Sequence, residues 1–195
     1  MQDPVVLIVT GPPGSGKSTT ARLVAQRFEL AVCLASDWFW TTIVKGFVPP
    51  WRLDADTQNR AVLRAVAEAA AALAASGYAV VVDGVVGPWY LDLVTEPLVR
   101  HGIETHYLVL RPEFAVTLER VAVRDRAEHV SGLLATAFSD EAPAVHMWEQ
   151  FSDLGELERH VVDNTWLDAS RTADLVWSRY CDGTDRLLPS TDPEH

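Results

Sequence analysis

Residues Gly11-Pro12-Pro13-Gly14-Ser15-Gly16-Lys17-Ser18 match the phosphate-cradling pattern G-x-x-x-x-G-K-[ST] at every fixed position. Lys17 is one of only two lysines, the other being Lys45. Glycines in such a loop let backbone N–H groups turn toward an anion without Cβ clashes. The N-terminus of the helix that follows adds unpaired N–H groups and a partial positive charge. In this pattern Lys17 reaches the β- and γ-phosphates of a nucleotide, and the Ser18 hydroxyl joins Mg²⁺. Thr19 continues the same first turn as a further phosphate contact.

Two elements must flank the loop if it is to work. Before it, Val5 to Val9 is a continuous apolar run, as expected of a strand covered on both faces of a parallel sheet. After it, Ala21, Val24, Ala25 and Phe28 recur at helical spacing. The order strand, loop, helix is the context the motif requires.

The rest of the chain repeats that alternation. Leu30 to Ala35 reads as a second strand, ending at Ser36 and Asp37; Asp54 to Ser76 reads as a long helix stopped at Gly77. Ala79 to Val82 is a third strand closed by Asp83-Gly84, and Pro88 to Arg100 a helix. Thr105 to Leu110 is a fourth strand, and Pro112 is placed at the first position of a helix running toward Arg126. His160 to Val162 is a short fifth strand and Asp168 to Tyr180 the last helix. Asp182 to His195 reads as a frayed tail, so one domain is expected over residues 1–181. The expected architecture is α/β, three layers, with a five-stranded parallel sheet and helices on both faces. In such sheets ligands sit at the carboxyl ends of the strands, which draws attention to the Gly11–Ser18 loop, Asp37, Asp83 and Arg111.

Composition narrows the partners. A formal net charge of −11 over 195 residues argues against nucleic acid, whose backbone demands a basic footprint. Cys33 and Cys181 are too few for a disulfide framework and read as buried free thiols. The six histidines show no metal-ligand spacing. No apolar run approaches the roughly 20 residues that span a bilayer, so a cytoplasmic protein without a membrane partner is expected, as monomer or homodimer.

Taken together, the Gly11 loop, Ser36-Asp37, Val80-Val81-Val82-Asp83-Gly84, Arg120/Arg124/Arg126 and Val162-Asp163-Asn164-Thr165 resemble small P-loop kinases of the nucleoside-kinase-like type. The layout is most similar to chloramphenicol phosphotransferase and zeta-toxin-like kinases, with related bacterial ATPases. The resemblance implies a P-loop NTPase fold with a lid segment at about 120–145, ATP and Mg²⁺ as cofactors, and phosphoryl transfer to a small-molecule hydroxyl acceptor. It places Asp37 at the acceptor as general base, although Ser-Asp before an apolar run is also a helix-capping signature. Asp83 faces either Mg²⁺ or the acceptor. Arg120 stacks on adenine, Arg124 or Arg126 neutralises the transferring group, and Asn164 and Thr165 wrap the base.

Aromatic residues gather near the same strand ends. Trp38 and Trp40 follow Asp37, Trp51 closes a Pro-rich loop, and Trp89 follows Asp83-Gly84. As a cluster they suit an apolar or ring-bearing acceptor. The leading expectation is an ATP-dependent small-molecule kinase acting on an antibiotic-like or other hydroxylated metabolite. Alternatives are a nucleotide or sugar-derivative kinase, and an ATP-dependent switch without an acceptor.

Overall fold

The computed structural model describes residues 3–127 and 141–187. Five strands form one sheet: β1 (Val5–Thr10), β2 (Ala31–Ala35), β3 (Ala79–Asp83), β4 (Glu104–Leu110) and β5 (Val161–Val162). Their order is β2-β3-β1-β4-β5 and every pairing is parallel. The helices are α1 (Lys17–Ala25), α2 (Asp37–Thr41), α3 (Asp56–Ala75), α4 (Pro88–Arg100), α5 (Phe114–Ala127), α6 (Glu141–Gln150) and α7 (Ala169–Cys181), with short 3₁₀ turns at 53–55 and 155–160.

Two-residue periodicity divides the core. On one face Val6, Ile8, Val80, Val82 and Val109 pack under α3 and α4; on the other Val5, Leu7, Val9, Val81 and Leu108 pack under α1 and α7. The central strands β1 and β3 are buried at every residue, which explains their unbroken valine runs, whereas β2 lies at the edge and is half-buried throughout. The sandwich of helices, sheet and helices is the three-layer α/β P-loop NTPase fold.

Several boundaries differ from the sequence reading. Helix α5 starts at Phe114 rather than with Pro112 at its first position: Glu113 stands at the cap, its carbonyl accepting from the Thr117 N–H at 3.0 Å and its N–H donating to the Thr165 hydroxyl at 2.8 Å. The segment after Cys181 is not frayed where it is described. The Tyr107 N–H donates to the Asp185 carbonyl at 2.9 Å and the Leu187 N–H to the Thr105 carbonyl at 2.8 Å. Arg186 thereby bridges His106 antiparallel along the edge of β4 that the two-residue β5 leaves uncovered. Asp185 is fully buried there, hydrogen-bonded by Arg179 through both carboxylate oxygens and lying 3.3 Å from His160 Nδ1. A low apolar content hid this, since the segment is held by backbone pairing and one buried charge. Residues 188–195 lie outside the described residues. The thiols also differ from expectation: Cys33 is half-buried on the edge strand, with burial and the nearby Asp83 carboxylate raising its pKa, and Cys181 is exposed at the end of α7.

Candidate active site

The loop between β1 and α1 is held by close backbone approaches that only glycine permits. Gly11 has φ +144°, and a Cβ there would lie 2.2 Å from the Leu110 carbonyl oxygen; Gly14 has φ +81°, and a Cβ would meet the Thr117 carbonyl at 2.6 Å. The Ser15 N–H donates to the Pro12 carbonyl at 3.2 Å, and Gly16 caps α1 in the left-handed region. Lys17, Ser18 and Thr19 then occupy the first turn of α1, so their N–H groups point back into the loop.

Asp83 ends β3 beside this turn. It is 8% exposed and its Oδ1 accepts no hydrogen bond among the described residues. Burial pushes its carboxyl above the usual carboxylate range; the Lys17 charge and the Ser18 hydroxyl pull the other way, and Asp37 adds a further upward push. A buried, under-satisfied carboxylate next to a serine hydroxyl is a donor set suited to Mg²⁺, which takes one or two carboxylates together with substrate phosphates. Among the described residues no cluster of three or more His, Cys, Asp or Glu side chains could hold a metal unaided.

Asp37 is the first residue of α2 and is exposed. The cap position falls on Ser36, which makes no side-chain capping bond, so the capping alternative for Asp37 is not realised. Instead the Ser36 N–H donates to the Asp83 carbonyl at 2.8 Å, lacing the ends of β2 and β3 together. The packing is tight: a Cβ on Gly84 would lie 2.1 Å from the Ser36 hydroxyl.

Asp37 borders a cavity of about 270 Å³ whose wall includes Pro13 of the phosphate loop and the rings of Trp40, Trp51, Trp89 and Tyr90. Its architecture rests on polar residues that sequence reasoning passed over. Asn59, buried in α3, accepts from Trp40 Nε1 at 3.1 Å and donates to the Pro50 carbonyl at 2.7 Å. Gln58 clamps Val48 in both directions, at 2.8 and 2.6 Å. The Tyr90 hydroxyl donates to Asp56 at 3.0 Å. In the core beneath, the Tyr107 hydroxyl donates to the Val86 carbonyl at 2.8 Å, and the Val86 N–H donates to the Thr10 hydroxyl at 2.8 Å, fixing the chain next to the lining residue Val85. The readable signal was Asp56 and Asn59, polar residues three apart on one face of an Ala-rich helix.

Trp38 does not line the cavity; it is 76% exposed, because α2 turns it outward while Trp40 turns in. Arg111 also lies elsewhere. Its guanidinium pairs with both oxygens of Glu158 at 2.7 and 2.8 Å and donates to the Phe151 and Ser152 carbonyls, tying the end of β4 to the chain after α6. That pairing holds the Glu158 carboxyl below its usual range.

A second cleft, of about 250 Å³, opens on the other side of α1 between Gly16, Thr19, Thr20, Arg120, Asn164 and Asp168. Asn164 donates to the Ser15 carbonyl at 2.9 Å, fixing the chain after β5 against the phosphate loop. Arg120 reaches the same chain, donating to the Asn164 and Thr165 carbonyls at 3.2 and 3.3 Å. Thr165 is not part of the cleft wall; its hydroxyl donates to Asp163 and accepts from the Glu113 N–H. Arg124 and Arg126 lie in the last turn of α5, and their side chains fall outside the described residues, as do residues 128–140 of the expected lid segment.

Among solved structures the chain is similar to the tunicamycin resistance protein of Deinococcus radiodurans, with TM-score 0.64, 15% identity, and coverage of 95% of this chain and 99% of that one. It is similar to the Mycobacterium tuberculosis APS kinase CysC in complex with AMPPNP and APS, with TM-score 0.62, 18% identity, and coverage of 91% and 98%. A gluconokinase from Sinorhizobium meliloti matches with TM-score 0.57, 18% identity, and coverage of 94% and 97%. These likenesses show the fold, the three-layer α/β P-loop fold described above. No curated protein sequence matches. The model of the AAA domain matches residues 6–142, which span the phosphate loop, Asp37, Asp83 and α5, and the chain therefore belongs to the AAA domain family.

Proposed function

We propose that the protein is an ATP-dependent kinase that moves the γ-phosphoryl group to a hydroxyl of a small organic acceptor. The observation that carries this reading is a single cavity bounded by both Pro13 of the phosphate loop and Asp37, walled by aromatic rings. A cavity that touches the loop holding the donor phosphates gives an acceptor a place from which to attack. Kinase names among the similar structures support the same reading.

In this reading the adenosine end lies in the cleft at Thr20, Arg120 and Asn164, and the phosphates rest on residues 11–19. Ser18 and Asp83 would hold Mg²⁺, which neutralises phosphate charge when bound. Lys17 stabilises the charge on the transferring group. Asp37 orients the acceptor hydroxyl and takes its proton as the acceptor oxygen bonds to the γ-phosphorus. The bond from that phosphorus to the bridging oxygen breaks, its electron pair leaves with ADP, and Asp37 returns the proton to water. Arg124 or Arg126 completes charge neutralisation over the γ-phosphate.

The test is a mass-spectrometric screen of hydroxylated metabolites and antibiotics with ATP and Mg²⁺. A compound that gains one phosphoryl group while ADP accumulates supports the reading. ATP binding with no phosphorylated product across a broad library favours a nucleotide-dependent switch.

A further inference from the structure

Charge in the cavity points beyond a generic acceptor. Resting on the reading of this cavity as the acceptor site, we propose that its ligand is a cationic hydroxyl compound, an amino alcohol with an apolar or aromatic body, and that Asp56 receives the ammonium group.

The cavity wall carries two carboxylates, Asp37 and Asp56, and one guanidinium, Arg52. Arg52 is already committed: its Nε and Nη2 donate to the two oxygens of Asp54 at 2.7 and 2.8 Å. That pairing holds the Asp54 carboxyl below its usual range. Counting Asp54 with the wall, the local balance of these four residues is acidic, in a chain whose net charge is −11. Among the described wall residues the only guanidinium that a phosphate, sulfate or carboxylate on the acceptor would meet is Arg52, already paired with Asp54.

The rings favour the opposite sign. Trp40, Trp51, Trp89 and Tyr90 contribute π-surfaces, which attract ammonium groups and repel anions. Asp56 is fixed toward them, because the Tyr90 hydroxyl donates to its Oδ1. Asn59, three residues along α3, presents an amide already satisfied by Trp40 and Pro50 and so holds the wall rigid. The remaining polar lining residues, His146 and Gln150, contact one another at 3.2 Å. The site therefore offers a carboxylate beside an aromatic surface for a cation, and Asp37 near the phosphate loop for the hydroxyl.

Binding is measured by calorimetry on the full-length protein with three matched probes: an aryl amino alcohol, its N-acetyl derivative, and its N-succinyl derivative carrying a carboxylate. The amine is expected to bind at least about tenfold more tightly than the neutral probe, as an ion pair reinforced by cation–π contact allows. The anion is expected to bind weakest. Asp56→Asn should erase the preference while the neutral probe still binds, and the wild-type preference should shrink with added salt even if that variant misfolds. Equal or tighter binding of the neutral or anionic probe, binding of none of the three, or a salt-independent preference overturns the proposal. Phosphoryl transfer is followed on the same probes. Transfer without charge preference sinks the cation site and leaves the kinase reading standing; a cation preference without transfer to any probe does the reverse.

Discussion

Asp83 is a single residue held in a place where burial works against its charged form. A carboxyl whose pKa is raised by burial is one the fold prefers protonated. The native state then binds more protons than the unfolded chain between the ordinary and the raised value, so stability falls as pH rises through that interval, and the penalty persists at neutral pH. Asp83→Asn should therefore raise the Tm of the ligand-free protein near neutral pH. The gain should vanish in acid, where both states of the wild-type residue are protonated. The same variant should lose most of the additional stabilisation that Mg²⁺-ATP gives the wild type, measured by thermal scans with and without ligand. Equal ligand-induced shifts in both proteins would mean that Asp83 does not hold the metal. Lys17→Ala should lower the Tm near neutral pH, because the charge that offsets the burial of the ionised Asp83 carboxyl is lost, and lower phosphoryl transfer about 10²- to 10³-fold, the scale of losing one preorganised electrostatic contact.

Loops carried on strand ends decide the site's shape. Of the aromatic residues flagged near the mouth, Trp40, Trp51 and Trp89 line the cavity and Trp38 does not. The reason is helical direction in α2, which a run of Trp-Phe-Trp cannot show because three consecutive positions point three ways. The phosphate loop was legible because its spelling is the geometry: Gly11 and Gly14 sit where Leu110 and Thr117 carbonyls leave no room for a Cβ. Asp56 and Asn59 were not legible as site residues, nor Tyr107 as a support in the core beneath them. Their roles depend on partners 9 to 34 positions away, including Pro50, Trp40, Val86 and Tyr90. Tyr107 is a direct test of this scale. Tyr107→Phe removes the hydroxyl that holds the Val86 carbonyl in the core, and should cost about 1–3 kcal/mol in urea unfolding, the range for leaving a buried polar group unpaired. Gly87→Ala is expected to weaken acceptor binding with ATP affinity retained, since a Cβ would lie 2.3 Å from the Trp89 ring and displace it from the cavity.

At the scale of the whole molecule, the sheet order β2-β3-β1-β4-β5 puts the phosphate loop between the two clefts. Alternating apolar runs and helical periodicity were enough to foresee five parallel strands alternating with helices on both faces, but not the order in which the strands pair across the sheet. The C-terminal closure was missed because β5 is only two residues long and the edge it leaves is covered by Asp185, Arg186 and Leu187, a segment with little apolar content. There the buried Asp185 meets Arg179 and the buried His160, so removing its carboxylate leaves the part-buried guanidinium with only the Val161 and Arg159 carbonyls and takes the partner from the His160 ring. Asp185→Ala should destabilise the protein by about 3–5 kcal/mol, as breaking a buried pair does, and truncation after Cys181 should do at least as much. An unchanged denaturation midpoint in both would show that the segment is dispensable. Nothing helical among the described residues is long and apolar enough to cross a membrane.

In the proposed kinase the aromatic cavity and the phosphate loop are two halves of one transfer site, joined at Asp37. Product analysis with wild type and Asp37→Ala, each supplied with ATP, Mg²⁺ and hydroxyl acceptors, tests it most directly. The account predicts a phosphorylated acceptor from the wild type and a loss of transfer in Asp37→Ala while ATP still binds. Slow ATP hydrolysis that no acceptor accelerates, at the same rate in both proteins, would contradict it.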